Sequence, residues 1–172
     1  MSFINISRQG LSELPEHLSI LKGVHIFNCT YNQITKLENL PENIHILNCH
    51  NNQITRIENL SDSLHTLRCG SNRLTKLENL PDSIRNLNCL HNQIPEIENL
   101  PSELEHLRIE GNQITSLPKT LPDSLLTINC SHNFITKIET LPDKLQIFGC
   151  SYNRITKIEN LPDSLHDLYC SF

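Results

Sequence analysis

Residues 64–83 read LHTLRCGSNRLTKLENLPDS, and the same order of residue types returns along nearly the whole chain. The asparagine in the middle of that stretch, Asn72, has counterparts at Asn32, Asn52, Asn92, Asn112, Asn133 and Asn153, at successive intervals of 20, 20, 20, 20, 21 and 20 residues. A fixed period of this length marks a solenoid, in which a coil buries its apolar side only by stacking on the next coil. Aligned on the asparagines the unit is LxxLxCxxNxITKIENLPDS, and every apolar column falls in register. Seven full units span 24–162, a degenerate coil fills 1–23 and a partial last coil 163–172, so the 172 residues read as a single repeat domain. Eight or nine coils exceed the ~3 that a solenoid needs for stability.

Within the unit, Leu67-Arg68-Cys69 alternates as a short strand does, with Leu67 and Cys69 on one face and Arg68 on the other. Stacked units therefore predict one parallel sheet. The return, ITKIENLPDS, carries a proline in most copies and is too short for a helix of any length, so it is expected to be extended or polyproline-like. Helix is expected only as a turn within 12–22. The fold class that follows is an α/β-class solenoid: a parallel sheet on the concave face, extended convex returns and very little helix.

The pattern LxxLxCxxNxI resembles the leucine-rich repeat family and covers essentially the whole chain. The short unit with its LPxxL return is similar to the repeat domains of bacterial effector proteins, with Cys where those have Val. The Asn/Ile/Lys-rich, Ala-poor alphabet also resembles that of leucine-rich repeat proteins of large DNA viruses of amoebae. The resemblance implies a horseshoe that binds a protein on its concave sheet and has neither cofactor nor chemistry of its own.

Charge and composition narrow the function classes independently. Fourteen Lys+Arg against 19 Asp+Glu give −5, which excludes a generally basic nucleic-acid binder. Leu occurs 27 times, Ile 20 and Asn 20, with one Val and no Ala or Trp, yet no stretch approaches the ~20 apolar residues of a membrane helix. The first residues, MSFINISRQG, do not read as a secretory signal. Cys29, Cys49, Cys69, Cys89, Cys130, Cys150 and Cys170 form one inward column that Ile109 interrupts, so the column is read as packing. Thiols on adjacent parallel strands, ~4.8 Å apart and pointing the same way, are placed neither to pair nor to surround zinc. A reducing, cytoplasmic setting is expected, with the sequons at Asn5, Asn28, Asn59 and Asn129 unused.

The asparagine column is expected to bond the backbone of its own and the adjacent coil. His25, His45, His65 and His166 share an outward column, but no carboxylate accompanies them to fix imidazole tautomers for a metal. The carboxylates Asp62, Asp82, Asp123, Asp143 and Asp163 supply one oxygen donor group per coil, too few to converge on calcium. Lys36, Arg56, Lys76, Lys137 and Lys157 alternate with Glu38, Glu58, Glu78, Glu98, Glu139 and Glu159 along the return. No GxSxG, HExxH or P-loop occurs, so no enzymatic activity, metal or cofactor is expected.

Information about a partner should lie in the outward strand positions and the loop after them. The candidate concave residues are Arg68, Asn88, Arg108, Asn48, His106 and Arg73, with apolar or aromatic positions at Ile26, Ile46, Tyr31 and Tyr152. This face reads as polar and mildly cationic. In the last coil, Leu168, Tyr169 and Phe172 are candidates for self-association into an end-to-end homodimer, the reading for an assembly protein with uncapped coils.

Overall fold

The structure, a computed structural model, describes residues 2–171. Nine strands follow in chain order: β1 (Ser2–Asn5), β2 (Val24–Asn28), β3 (Ile46–Asn48), β4 (Thr66–Arg68), β5 (Asn86–Asn88), β6 (His106–Arg108), β7 (Thr127–Asn129), β8 (Ile147–Gly149) and β9 (Asp167–Tyr169). They form one parallel sheet in strictly sequential order. From β3 to β9 each strand begins one residue before the inward apolar residue expected to open it, and backbone pairing continues past its end, as in Cys69 N to Asn88 O at 2.8 Å. Between β1 and β2 lies one turn of 3-10 helix, Glu16–Ile20, inside the segment expected to hold it.

The sheet's inner face explains the repeat. Phe27, Leu47, Leu67, Leu87, Leu107, Ile128 and Phe148 stand at the strand centres, fully buried, and the cysteines two residues on continue the core through Ile109. From the return, Ile34, Ile54, Leu74, Ile94, Ile114 and Ile135 close the other side. One continuous apolar cluster thus runs the length of the coils.

Polar ladders hold the coils in register. Asn72 donates through Nδ2 to Cys49 O and Cys69 O, both at 3.0 Å, and accepts from Ile54 N at 2.9 Å. Asn52, Asn92, Asn112 and Asn133 repeat this arrangement, tying each coil to the one before it. A second, serine ladder was not apparent from the sequence: Ser83 Oγ donates to Leu64 O at 2.8 Å and Ser164 Oγ to Leu145 O at 2.7 Å. The cysteines also contribute, with Sγ of Cys29 and Cys49 each 3.5 Å from the carbonyl of the following strand.

The returns contain no regular element among the described residues. Five of them turn through a residue in the left-handed region, Asn39, Asn59, Asn79, Asn99 and Asn160, with φ of 59°, 54°, 52°, 50° and 53°. Asn tolerates that region better than most residues. The expected charge ladder is present as exposed pairs, Lys36–Glu38 at 3.7 Å, Arg56–Glu58 at 3.4 Å, Lys76–Glu78 at 3.2 Å, Lys137–Glu139 at 3.5 Å, and Lys157 with Glu159. Such pairs contribute ~0–1 kcal/mol each. Where one coil is a residue longer, its return 116–122 bounds an open depression of about 810 Å³.

Candidate functional site

Parallel register turns the repeat's outward positions into continuous rows across the sheet. The first row is Ile26, Ile46, Thr66, Asn86, His106, Thr127, Ile147 and Asp167. Two positions on, the second row is Asn28, Asn48, Arg68, Asn88, Arg108, Asn129, Gly149 and Tyr169. Between these rows, over β4 to β7, lies a depression of about 340 Å³ bounded by Thr66, Arg68, Asn86, Asn88, His106 and Arg108. Six of the sequence candidates, Arg68, Asn88, Arg108, Asn48, Ile46 and His106, thus lie in or beside one place.

The two arginines differ. Arg68 reaches across one coil to Asn48 Oδ1 at 3.3 Å and meets no carboxylate. Arg108 gives Nε and Nη2 to Glu110 Oε1 at 3.1 and 2.8 Å. Asn129 Nδ2 donates to the same oxygen at 2.8 Å, while Glu110 Oε2 is buried without a hydrogen bond. The cationic character expected of this face is therefore concentrated at Arg68. Glu110 occupies the position held by Thr30, His50, Gly70 and Leu90 in earlier coils, and nothing in the repeat marked it as a partner of Arg108.

At the loop edge, Tyr31, Asn51, Ser71, His91, His132 and Tyr152 all adopt φ between 50° and 56°. Asn and His are enriched in that region, so Tyr31 and Tyr152 are the bulky residues for which it is unusual. Ring contacts accompany it: His132 stacks on Tyr152 at 4.4 Å, and Arg8 lies over Tyr31 at 4.8 Å. The guanidinium of Arg154 similarly covers Phe134 at 4.8 Å, so it is not a free anchor. Arg73 is exposed beside the asparagine ladder and lies outside the depression. Ile26 and Ile46 flank the depression's amino side, and Ile147, 37% exposed, its carboxyl side. Leu168 and Tyr169 are exposed on β9, while Phe172 lies outside the described residues.

The histidines of the first three full coils pack on one another. His25 and His45 have ring centroids 4.7 Å apart, and His45 stacks on His65 at 5.4 Å. Among the described residues no three His, Cys, Asp or Glu side chains gather as a metal site. The thiols are free, and all but Cys170 are buried. Burial pushes the Cys29 thiol up to about 12 and that of Cys150 up to about 11. Cys49, Cys69 and Cys89 are raised too, by burial first and then by the neighbouring thiol. A thiol held neutral in this way is a poor nucleophile and a poor metal ligand.

Comparison with solved structures places this architecture. YopM from Yersinia enterocolitica superposes with a TM-score of 0.78 at 28% identity, covering 94% of this chain and 40% of that one. The fold is a leucine-rich repeat solenoid. A Shigella effector leucine-rich repeat domain gives a TM-score of 0.52 at 27% identity, covering 97% of this chain and 57% of its own. The functional domain of InlJ from Listeria monocytogenes, which includes a cysteine ladder, gives 0.78 at 23% identity over 98% of this chain and 43% of that one. This leucine-rich repeat chain thus spans roughly half the length of the proteins it superposes on. Neither a family model nor a curated protein matches its sequence. No helix among the described residues is long and apolar enough to cross a membrane.

Proposed function

We propose that the chain is a non-catalytic protein-binding module whose sheet face, the concave side of the solenoid, holds a protein partner. One observation carries the reading. Inward columns repeat the same residue types coil after coil, whereas the outward rows change identity from Ile through Thr, Asn and His back to Ile while staying in register. A net charge of −5 disfavours nucleic acid as the partner. The larger depression at 116–122 is a less selective surface, because Glu96, Glu98 and Lys119 mix both signs around it.

The test is selection of random twelve-residue peptides displayed on phage against the full chain, followed by binding to two variants. Asn88→Trp fills the sheet-face depression without changing charge, and Lys76→Trp places the same bulk on the return side. Loss of binding with the first and retention with the second supports the reading. The opposite result would put the binding site on the returns.

A reducing compartment is the fitting location. Seven free thiols support it, as do Asn28 and Asn129, whose sequon side chains serve the sheet face by accepting from Thr30 N and Ser131 N. Self-association through the last coil is a second reading, supported by the exposed Tyr169 in the outward row of β9. It requires a mass that rises with concentration in sedimentation equilibrium, and loss of that rise with Leu168→Lys.

A further inference from the structure

The first row of the sheet face carries Ile46 and Ile147 with only polar residues between them, before it ends at Asp167. Ile46 stands on β3 and Ile147 on β8, with Thr66, Asn86, His106 and Thr127 on the four strands that separate them. Adjacent strands lie ~4.8 Å apart, so the two isoleucines are separated by ~24 Å along the solenoid axis. An extended chain advances ~3.4 Å per residue and covers that distance in about seven steps. An eight-residue segment laid across the strands therefore reaches both isoleucines.

The middle of the row is built for a negative group. No carboxylate lines the depression there, on a chain whose net charge is −5. Two arginines border it, Arg68 on β4 and Arg108 on β6, with Asn88 between them on β5. Asn88 accepts from Leu90 N at 3.3 Å through Oδ1, which leaves its amide nitrogen free to donate. His106 Nδ1 is engaged with Thr127 Oγ1 at 2.9 Å, fixing the ring at the edge of the depression. Among the described residues the nearest carboxylate on this part of the sheet, Glu110, is buried, and its bonded oxygen is occupied by Arg108 and Asn129. Asp167 stands one coil beyond Ile147, and Glu105 faces Arg85 at 3.7 Å on the strand's entry side. On the return side, by contrast, the lysines of 76, 137 and 157 each sit beside a glutamate.

Resting on the reading that the sheet face binds protein, we propose that the bound element is an extended acidic peptide segment of about eight residues lying across β3 to β8, apolar at both ends, with a Glu or Asp near its fourth residue received between Arg68 and Arg108. Positions follow from the spacing. Ile46 lies two strands from Asn88 and Ile147 three, so the carboxylate falls about three residues from one apolar end and about four from the other. Charge-assisted bonds from Arg68 and the Asn88 amide hold the carboxylate, and the isoleucines fix the register.

The test uses the peptides enriched on the full chain, synthesised with a fluorescent label, together with variants of both partners. The expected sequences share an apolar, acidic, apolar spacing of this kind. Replacing the central acid by its amide should weaken binding to the natural sequence by about tenfold or more, the size expected of hydrogen bonds to a charged group. The same replacement should change binding to Arg68→Gln by less than about threefold, because the one arginine there that is not paired with a carboxylate is gone and Arg108 stays neutralised by Glu110. Arg68 is exposed and meets no carboxylate, so Arg68→Gln should leave the fold intact, which the unfolding midpoint checks. Peptides blocked by Asn88→Trp but indifferent to an acid-to-amide change would overturn the acidic segment and leave the sheet-face reading standing. Peptides insensitive to Asn88→Trp would overturn both. Displacement of the peptide by an eight-nucleotide oligouridylate at equal concentration would overturn the choice of a peptide over a nucleic acid.

Discussion

Glu110 Oε1 lies 2.8 Å from Arg108 Nη2, yet the two side chains share the contact unequally, since Arg108 is 54% exposed and Glu110 only 11%. That asymmetry decides which half of the pair the fold depends on. Removing Glu110 frees an arginine that water can solvate, whereas removing Arg108 leaves a buried carboxylate with Asn129 as its one remaining donor. Glu110→Ser, which copies Ser131 and Ser151 of the next two coils, should change stability by less than about 1 kcal/mol. Arg108→Ala should cost about 1–3 kcal/mol, the penalty for an uncompensated buried polar group. Urea unfolding of both variants checks the order, and a costlier Glu110→Ser would show that the buried member is the stabilising one.

The thiol column gives a second expectation. Six cysteines are buried and Cys170 is half-buried. With an aromatic disulfide reagent at pH 8, the native chain should release colour from Cys170 alone on the timescale of mixing, and from all seven after denaturation. Rapid reaction of several native thiols would contradict the packed ladder. Cys89→Ser places a hydroxyl where a thiol sits 3.6 Å from Arg108 O, and should cost ~1–3 kcal/mol if it finds no better partner.

Most of this fold was legible because a 20-residue period constrains every column at once. The inward Leu and Cys columns, the parallel sheet and the backbone role of the asparagines all followed from that period, and the turn of helix at Glu16–Ile20 falls in the irregular segment 12–22 that precedes it. What escaped notice depended on single side chains or on dihedral angles. Ser83 resembles any loop serine until its hydroxyl is seen on Leu64 O. Tyr31 and Tyr152 give no sign in sequence of left-handed backbone, because tyrosine is not among the residues enriched there. On the sheet face the candidates Arg68, Asn88, Arg108 and His106 do share one depression. Their charges were not separable from sequence, since Glu110 follows Arg108 by two residues, a spacing that in a strand places both on one face but says nothing of burial.

The asparagine ladder is the strongest candidate for a lethal lesion to folding. Asn92 donates to Cys69 O and Cys89 O, at 3.2 and 3.0 Å, and accepts from Leu74 N at 2.9 Å, and all of this is buried. Asn92→Ala orphans the buried Leu74 N–H and removes one of the two amide donors from each carbonyl, Cys69 O keeping Asn72 and Cys89 O keeping Asn112, with a cost of about 1–3 kcal/mol. Asn92→Asp keeps the acceptor but turns an oxygen toward both carbonyls, so at neutral pH it should be no better than alanine. Equal stability of Asn92→Asp and the natural chain at pH 7 would refute the assigned amide orientation.

The last expectation concerns alkaline pH, and its sign follows from the thiols. In the unfolded chain a cysteine ionises near 9.0, whereas in the fold Cys29 ionises near 12 and Cys150 near 11, in each case because burial disfavours the thiolate. The folded values are raised. Stability from this source is therefore complete below pH 9 and declines as pH rises above it, since the unfolded chain releases protons that the folded chain retains. Each such thiol removes ~1.4 kcal/mol per pH unit within its window. Cys89 belongs to the same raised set, through burial, then Cys69 and Glu110. Cys89→Val should consequently flatten the fall in unfolding free energy between pH 9 and 11 by about one proton's worth, ~1.4 kcal/mol per unit, whatever its effect at pH 8. Every other ionisable group is common to the two proteins, so the difference between them isolates the Cys89 thiol. Urea midpoints measured in reductant across this range decide the matter: parallel pH profiles for Cys89→Val and the natural chain would mean that the ladder thiols ionise alike in both states, and that their burial has no energetic consequence at high pH.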